Sequence, residues 1–295
     1  MVAVSELRPE ACGVRHPTAD GLWLAVDDRG PRAAAPLLFA HGFGQTRHAW
    51  TATAVALATA GHRCLSFDAR GHGDSARVAG GDYHLEQFVG DLAGLAASLP
   101  RPPVLVGASM GGLLGLALAG ERRPPPFRAL VLVDITPRWE SAGVERILGF
   151  MRAHPDGFAD YAEAAAAIAA YLPHRGARKS EAQLRPLLRR GADARLRWHW
   201  DPAMLEPVAG ESERYQPRLM AAARRVELPT LLLSGGRSDV VSADTVREFL
   251  ALVPHARHVE LPRATHMVAG DANDAFTREI ETFVRGLDAD AAHPR

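Results

Sequence analysis

A serine at the centre of a glycine-rich turn is the strongest chemical signal in the sequence. Residues 107–112 read Gly-Ala-Ser-Met-Gly-Gly, which satisfies the pattern G-x-S-x-G around Ser109. A short apolar run precedes the turn and an apolar helix-forming segment follows it. This context is typical of a sharp strand-to-helix turn that holds a serine hydroxyl above the edge of a sheet. The pattern therefore predicts Ser109 as a nucleophile.

Two downstream loops offer the groups that such a serine needs. A hydroxyl is a weak nucleophile until a base takes its proton, and a third group must orient that base. Asp239 follows the predicted strand 229–234 and His266 follows the predicted strand 256–260, so both are expected at the carboxyl ends of parallel strands, where open α/β sheets place their sites. We predict His266 as the base and Asp239 as its acid, with Asp134, at the end of an earlier run, as the alternative acid.

Backbone donors for a developing oxyanion are also identifiable. The run at 37–41 leads into His-Gly-Phe-Gly at 41–44, where glycines let the backbone turn close to a pocket. The N–H of Phe43 is one candidate donor. The N–H of Met110, directly after the nucleophile, is the other.

These residues require a sheet that brings distant segments to one edge. Short apolar runs, each ending in a small or polar residue, predict buried parallel strands at 37–41, 63–67, 103–107, 129–134 and 229–234. Helical patterns fall between and after them, at 47–60, 85–99, 110–120, 242–253 and 272–286, with a further strand at 256–260. Residues 13–17 and 22–27 suggest an antiparallel lead-in hairpin. The predicted fold is a doubly wound, mostly parallel α/β sheet.

The alternation stops between residues 137 and 225. This stretch contains alanine- and arginine-rich helical segments and no convincing strand, so we interpret it as a helical insertion over the sheet. The expected organisation is a core in two parts, 1–136 and 226–295, with the insertion 137–225 between them. Trp198 and Trp200 are candidates either for lining a substrate pocket or for packing within the insertion.

Composition excludes several other classes of protein. The chain has 295 residues, 47% hydrophobic and 23% charged, which is typical of a globular protein. Lys plus Arg and Asp plus Glu each total 34, so no net charge favours nucleic acid or an anionic membrane. Two cysteines form no disulfide framework, and the first residues do not read as a secretory signal. We expect a cytoplasmic protein that does not bind membranes, and leave homo-oligomerisation open.

Taken together, the motifs resemble those of α/β-hydrolases in the esterase, lipase and cofactor-free haloperoxidase-like group. The resemblance covers nearly the whole chain: besides the serine turn, it includes His-Gly-Phe-Gly at 41–44, Asp-Ala-Arg-Gly-His-Gly-Asp-Ser at 68–75 and the segments around Asp239 and His266. It implies that the insertion is a helical lid over the pocket. It also implies that the 68–75 stretch is a structural turn, so His72 and Asp74 receive no catalytic role.

The expected function is a serine hydrolase that cleaves a small to medium, uncharged carboxylic ester through an acyl-enzyme, without a cofactor. Lactones, thioesters and certain carbon–carbon bonds are compatible with the same residues. A serine at the turn argues against the epoxide hydrolases and haloalkane dehalogenases of this fold, which use a carboxylate there. A non-catalytic ligand receptor is the alternative from another class. A metal site built from His41, His48, His72 and Asp74 is not favoured.

Overall fold

The fold is organised around one mixed sheet that carries the predicted chemistry at its edge. The structure is a computed structural model that describes residues 12–173, 178–210 and 212–292. Eight strands form the sheet in the order β1-β2-β4-β3-β5-β6-β9-β10. Their bounds are β1 Cys12–Pro17, β2 Trp23–Arg29, β3 Pro36–Ala40, β4 Arg63–Phe67, β5 Val104–Ala108, β6 Ala129–Val133, β9 Thr230–Gly235 and β10 Arg257–Leu261.

All the central strands run parallel. Strand β1 pairs antiparallel with β2, and β2 antiparallel with β4, whereas the remaining pairs are parallel. The predicted lead-in hairpin and mostly parallel sheet are therefore confirmed. Strands β3, β4, β6 and β9 are buried throughout, and this is why they read as continuous apolar runs rather than as alternating patterns.

Ten helices pack around the sheet and over its edge. They are α1 Thr51–Thr59, α2 Leu85–Ala97, α3 Met110–Glu121, α4 Ser141–Arg152, α5 Tyr161–Tyr171, α6 Glu181–Leu184, α7 Gln216–Ala223, α8 Ala243–Leu252, α9 Val268–Asp271 and α10 Asn273–Ala292 among the described residues. Every helix predicted outside the insertion is present, and only the last one, α10, extends well beyond its predicted end at residue 286.

Two hydrophobic layers lie on opposite faces of the sheet. Alternate residues of each strand point to opposite faces, so Leu38 and Leu105 belong to one layer and Leu37 and Val104 to the other. Helices α2, α3, α7 and α8 and the inserted segments complete the first layer, and α1, α9 and α10 complete the second. The candidate site lies between these layers, at the edge of the sheet formed by the carboxyl ends of the parallel strands.

The insertion contains strands that the sequence pattern did not predict. Strands β7, Leu188–Arg190, and β8, Leu196–Trp198, form an antiparallel pair in which Leu188 lies opposite Trp198. The insertion is helical as expected over α4 to α7, but the expectation that it contains no strand is wrong. Each strand has only three residues and carries arginines, so neither produces a readable alternation. No helix in the described ranges combines the length and apolarity that a bilayer crossing requires.

Candidate active site

Ser109 occupies the sharp turn that the motif predicts. It lies between β5 and α3 with φ +46° and ψ −118°, a left-handed conformation that non-glycine residues rarely adopt. Its backbone N–H bonds to the carbonyl of Val133, which ties the turn to the neighbouring strand β6. A strained residue persists only when its surroundings over-determine it, and such residues cluster at functional sites.

The flanking glycines are required by close backbone contacts. A Cβ at Gly107 would lie 2.6 Å from backbone atoms of Gly111 and Gly112, and one at Gly111 would lie 2.4 Å from the carbonyl oxygen of Ala40. Both distances are far below van der Waals contact, so a side chain at either position would displace the turn. The motif glycines thus hold Ser109 at the sheet edge.

His266 lies in the loop between β10 and α9 and is bonded to Asp134. Its Nδ1 donates to Asp134 Oδ2 at 2.7 Å. Asp134 directly follows β6, has no exposed surface and itself has φ +49°. With Nδ1 used in this bond, Nε2 is the ring nitrogen that remains to accept a proton from a hydroxyl.

Asp239 does not contact His266 in the structure. The prediction that Asp239 orients His266 is therefore wrong. Its carboxylate instead accepts from Arg146 Nε of α4 at 2.6 Å, and its side chain is 35% exposed. Arg146 also lies over the Tyr171 ring, 4.7 Å from its centroid. Asp239 therefore connects the loop after β9 to the insertion, and the alternative acid, Asp134, holds the position beside the base.

The Asp134 carboxylate is held by the last residue of β9 and by a serine in the loop that follows it. The Gly235 N–H donates to Oδ1 at 2.7 Å, and the Ser238 hydroxyl donates to Oδ2 at 2.5 Å. Ser238 Oγ in turn accepts from the N–H groups of Val240 and Val241, each at 3.1 Å. Both carboxylate oxygens are thus fixed by donors. The sequence analysis did not identify Ser238, because in the pattern Gly-Arg-Ser-Asp it considered only the carboxylate of Asp239.

The two predicted oxyanion donors border the same space as Ser109. Met110 is the first residue of α3, whose opening N–H groups have no intrahelical partner. Phe43 lies in the turn after β3, and a Cβ added at Gly42 would lie 3.2 Å from Ser109 Cβ, so this turn passes directly beside the nucleophile. Within the described residues, neither the Phe43 N–H nor the Met110 N–H donates to another protein group.

The turn that carries Phe43 is held by Gln45, a residue that the sequence analysis did not single out. Gln45 Oε1 accepts from the Gly42 N–H at 3.2 Å, and its Nε2 contacts the sulfur of Met267 at 3.1 Å. The side chain therefore bridges the Phe43 turn and the His266 loop.

Three buried histidines hold the backbone around this turn rather than a metal. His72 Nε2 accepts from the Gly44 N–H at 3.0 Å, and its Nδ1 donates to the Arg70 carbonyl at 3.0 Å. His199 accepts from Gly73 through Nδ1 at 2.8 Å, and its Nε2 donates to the Gly44 carbonyl at 3.2 Å.

His41 is used in the same way, donating from Nδ1 to Gly42 and accepting from Ala69 at Nε2. Both ring nitrogens of each histidine are therefore engaged, and none is available to a metal. Burial lowers the pKa of His41 and of His72, and it lowers the pKa of His199 to about 3. In the described residues, no group of three or more histidine, cysteine, aspartate or glutamate side chains is arranged to hold a metal ion.

A large apolar cavity opens over Ser109. Its volume is about 560 Å³, and Ser109, His266, Phe43 and Met110 all line it. Helices α4 and α5 of the insertion cover it, and the cavity contacts both candidate tryptophans, Trp198 and Trp200. Their rings stack with centroids 4.8 Å apart and planes inclined by 12°.

The sheet order, the serine turn and the covered cavity define a class of protein. The family described as alpha/beta hydrolase fold matches residues 35–272, so the chain belongs to the α/β-hydrolase fold family, and the resemblance drawn from its motifs is confirmed. The chain is accordingly a hydrolase built on this fold.

Individual relatives extend over most of the chain. It is 30% identical over 259 residues to a 3-hydroxybutyrate-oligomer hydrolase of Cupriavidus necator, covering 81% of this chain and 84% of the relative. It is 30% identical over 273 residues to the sn-1-specific diacylglycerol lipase ABHD11 of Mus musculus, covering 86% and 82%. The crystal structure of E-2-(acetamidomethylene)succinate hydrolase superposes with a TM-score of 0.81 at 24% identity, covering 94% of this chain and 100% of that one.

Proposed function

We propose that the protein is a serine esterase that cleaves small to medium, uncharged carboxylic esters through an acyl-enzyme. The observation that carries this proposal is that a strained Ser109 and His266 line one apolar cavity, while His266 is bonded behind it to the buried Asp134. Nucleophile, base and orienting acid are the three groups that acyl transfer to a serine requires.

In the first half of the reaction, Ser109 Oγ attacks the ester carbonyl carbon while its proton passes to His266 Nε2. The carbonyl oxygen becomes an oxyanion that accepts hydrogen bonds from the N–H groups of Phe43 and Met110. The tetrahedral intermediate then collapses, the bond to the leaving oxygen breaks, and Nε2 returns the proton to that oxygen. The alcohol leaves, and the acyl group remains esterified to Ser109.

The second half repeats these steps with water. His266 takes a proton from a water molecule, which attacks the acyl carbon, and the same two N–H groups hold the new oxyanion. Collapse returns the proton to Ser109 Oγ and releases the carboxylic acid. Asp134 keeps Nδ1 protonated throughout and stabilises the imidazolium.

The apolar cavity supports an uncharged substrate, because burying an unpaired charge there would be costly. Two relatives are named for hydrolysis of ester substrates, a 3-hydroxybutyrate oligomer and a diacylglycerol, which supports an ester over a lactone, thioester or carbon–carbon bond. A non-catalytic receptor would have no use for a strained serine beside a bonded histidine–carboxylate pair.

Covalent labelling tests this proposal. A fluorophosphonate probe should add one equivalent to the protein at Ser109, and p-nitrophenyl acetate should be hydrolysed. Ser109→Ala should abolish both, whereas the control Ser98→Ala, at the exposed end of α2, should change neither. An unlabelled protein that still hydrolyses the ester, or a label elsewhere, would overturn the assignment of Ser109; a folded protein with neither property would favour a receptor.

A further inference from the structure

The turn at residues 42–45, which we call the oxyanion turn, fixes the Phe43 N–H through the other end of its peptide group. A peptide group is planar, so this N–H points opposite to the carbonyl of Gly42. That carbonyl accepts from the Gln45 N–H at 3.0 Å and from His41 Nδ1 at 2.8 Å. The Phe43 N–H therefore cannot rotate without breaking both bonds.

The Gln45 N–H is in turn held by the insertion. Its peptide group contains the Gly44 carbonyl, which accepts from His199 Nε2 at 3.2 Å. His199 directly follows β8, so this bond joins the insertion to the oxyanion turn. The connection from His199 to the Phe43 N–H thus consists of two planar peptide groups that are hydrogen-bonded to each other.

The middle peptide group of the oxyanion turn is held from the core. His72 Nε2 accepts from the Gly44 N–H at 3.0 Å. Gly44 has φ +75°, and a Cβ there would lie 2.8 Å from Met151 Cε and 3.5 Å from the Trp200 ring. Because Met151 and Trp200 both belong to the insertion, Gly44 lies between a histidine of the core and side chains of the insertion.

The imidazole of His199 has one position and one tautomer. The residue is 1% exposed. Nδ1 accepts from the Gly73 N–H at 2.8 Å, so the ring hydrogen lies on Nε2, from which it donates to Gly44. The backbone N–H of His199 donates to the Leu187 carbonyl at 3.0 Å, and its carbonyl accepts from Arg77 at 3.2 Å. The ring is therefore fixed at both nitrogens and through its backbone, as a group that positions another must be.

The residues after His199 bind the core as well. The Asp201 N–H donates to the Gly71 carbonyl at 2.8 Å, and the Asp201 carboxylate accepts from the Tyr83 hydroxyl at 2.9 Å. This part of the insertion is thus docked on the core beside the oxyanion turn, whereas α4 and α5 cover the cavity.

From these bonds we propose that His199 is a positioning residue for the Phe43 oxyanion donor, and that the insertion thereby forms part of the acyl-transfer site. A donor stabilises the oxyanion only if it points at the position that this oxygen will occupy. Losing the bond from His199 to Gly44 should lower the rate of attack by Ser109 and leave ground-state binding of the ester almost unchanged. This inference rests on the proposed serine esterase function and adds a residue to its site.

Two substitutions separate the two bonds of His199. Asparagine places a polar atom where Nδ1 lies and keeps the bond to Gly73, whereas glutamine places an amide nitrogen where Nε2 lies and keeps the bond to Gly44. His199→Asn should lower kcat for p-nitrophenyl acetate roughly tenfold to a hundredfold, less than the loss of a whole oxyanion donor. KM should change by less than about threefold. His199→Gln should retain most of the rate.

A second substrate distinguishes positioning of the donor from general damage to the site. In p-nitrophenyl thionoacetate, sulfur replaces the carbonyl oxygen. Sulfur is larger and accepts hydrogen bonds more weakly, so this substrate depends less on the oxyanion donors while using the same Ser109 and His266. The ratio of kcat/KM for the ester to that for the thionoester should therefore fall in His199→Asn and stay near the unmodified value in His199→Gln.

Arg189→Gln is the matched control. Arg189 also joins the insertion to the core, through Asp74 Oδ1 at 2.6 Å, but it neither contacts the oxyanion turn nor lines the cavity. This variant should leave kcat and the ester-to-thionoester ratio unchanged. If it lowers the ratio as much as His199→Asn does, docking of the insertion as a whole is responsible, and the specific role of His199 is refuted.

His199→Phe guards against a variant that fails to fold. It keeps an aromatic ring but removes both hydrogen bonds, and it should lower the ratio as His199→Asn does; melting temperatures show which of the two is folded, and either one suffices. An unchanged ester rate, or an equal loss with both substrates, would refute this inference and leave the esterase function standing. Absence of ester hydrolysis and of Ser109 labelling in the unmodified protein would refute the esterase function itself.

Discussion

Two aspartates follow neighbouring parallel strands of the sheet, and their surroundings give them different roles. Asp134 after β6 is fully buried and accepts from Gly235, Ser238 and His266. Asp239 after β9 is 35% exposed and pairs with Arg146 of the insertion. Chain order alone makes the two equivalent as partners for the base. The difference shows that the role of a carboxylate is decided by the donors that surround it.

The largest expected effect comes from removing the charge of the buried acid. Asp134→Asn keeps the shape of the side chain but removes the charge that stabilises the imidazolium, so kcat should fall on the order of 10⁴-fold. Ester hydrolysis measured with the folded variant, together with its rate of fluorophosphonate labelling, checks this. A loss of only a few fold would mean that His266 does not need Asp134 for catalysis. The two aspartates would then not differ in role as the structure indicates.

An intermediate effect is expected at Ser238, which belongs to the Asp239 loop but contacts Asp134. Ser238→Ala removes one donor to the carboxylate, and a hydrogen bond to a charged group of this kind corresponds to about a tenfold to hundredfold loss in kcat. KM should change little, because Ser238 does not line the cavity. Restoration of most of the rate in Ser238→Thr would identify the hydroxyl as the cause, whereas a loss confined to KM would contradict it.

Asp239→Asn should have a much smaller effect on the same assay. A half-exposed ion pair contributes about 1 kcal/mol or less, and Asp239 touches neither the base nor the cavity. We expect kcat within about fivefold of the unmodified enzyme. Should Asp239→Asn instead match Asp134→Asn, the loop after β9 would supply the acid during turnover.

The smallest effect is expected from a chelator. Both carboxylates are bonded to protein groups, and the proposed reaction uses only side chains and backbone N–H groups. Prolonged dialysis against EDTA should therefore leave kcat/KM unchanged. Loss of activity that a divalent ion restores would show that one of the two acids serves a metal.

Local patterns predicted the parts of this site that depend on local geometry. The turn at Ser109 and the two oxyanion positions follow from glycines within a few residues of the turn and from the strands beside it. The partner of His266 depends instead on how loops about a hundred residues apart approach each other, and no local pattern contains that information. Strands β7 and β8 were missed for a related reason, since each is three residues long and is defined by its pairing.

His72 and His199 make the folding equilibrium depend on pH, because the folded and unfolded chains bind protons differently at these two side chains. Their imidazoles are buried and neutral, and burial holds the pKa of both below the ordinary value of 6.5, to about 3 for His199. At a pH between the lowered pKa of the folded chain and the ordinary pKa of the unfolded chain, the imidazole binds a proton only when the chain is unfolded. Acidification therefore favours unfolding. For His199, acidification should lower the free energy of unfolding by up to about 1.4 kcal/mol per pH unit between pH 6.5 and the folded-state pKa of about 3, and His72 should add to the loss in the same direction. Urea unfolding at pH 7 and pH 5 measures this, and His199→Gln should reduce the slope.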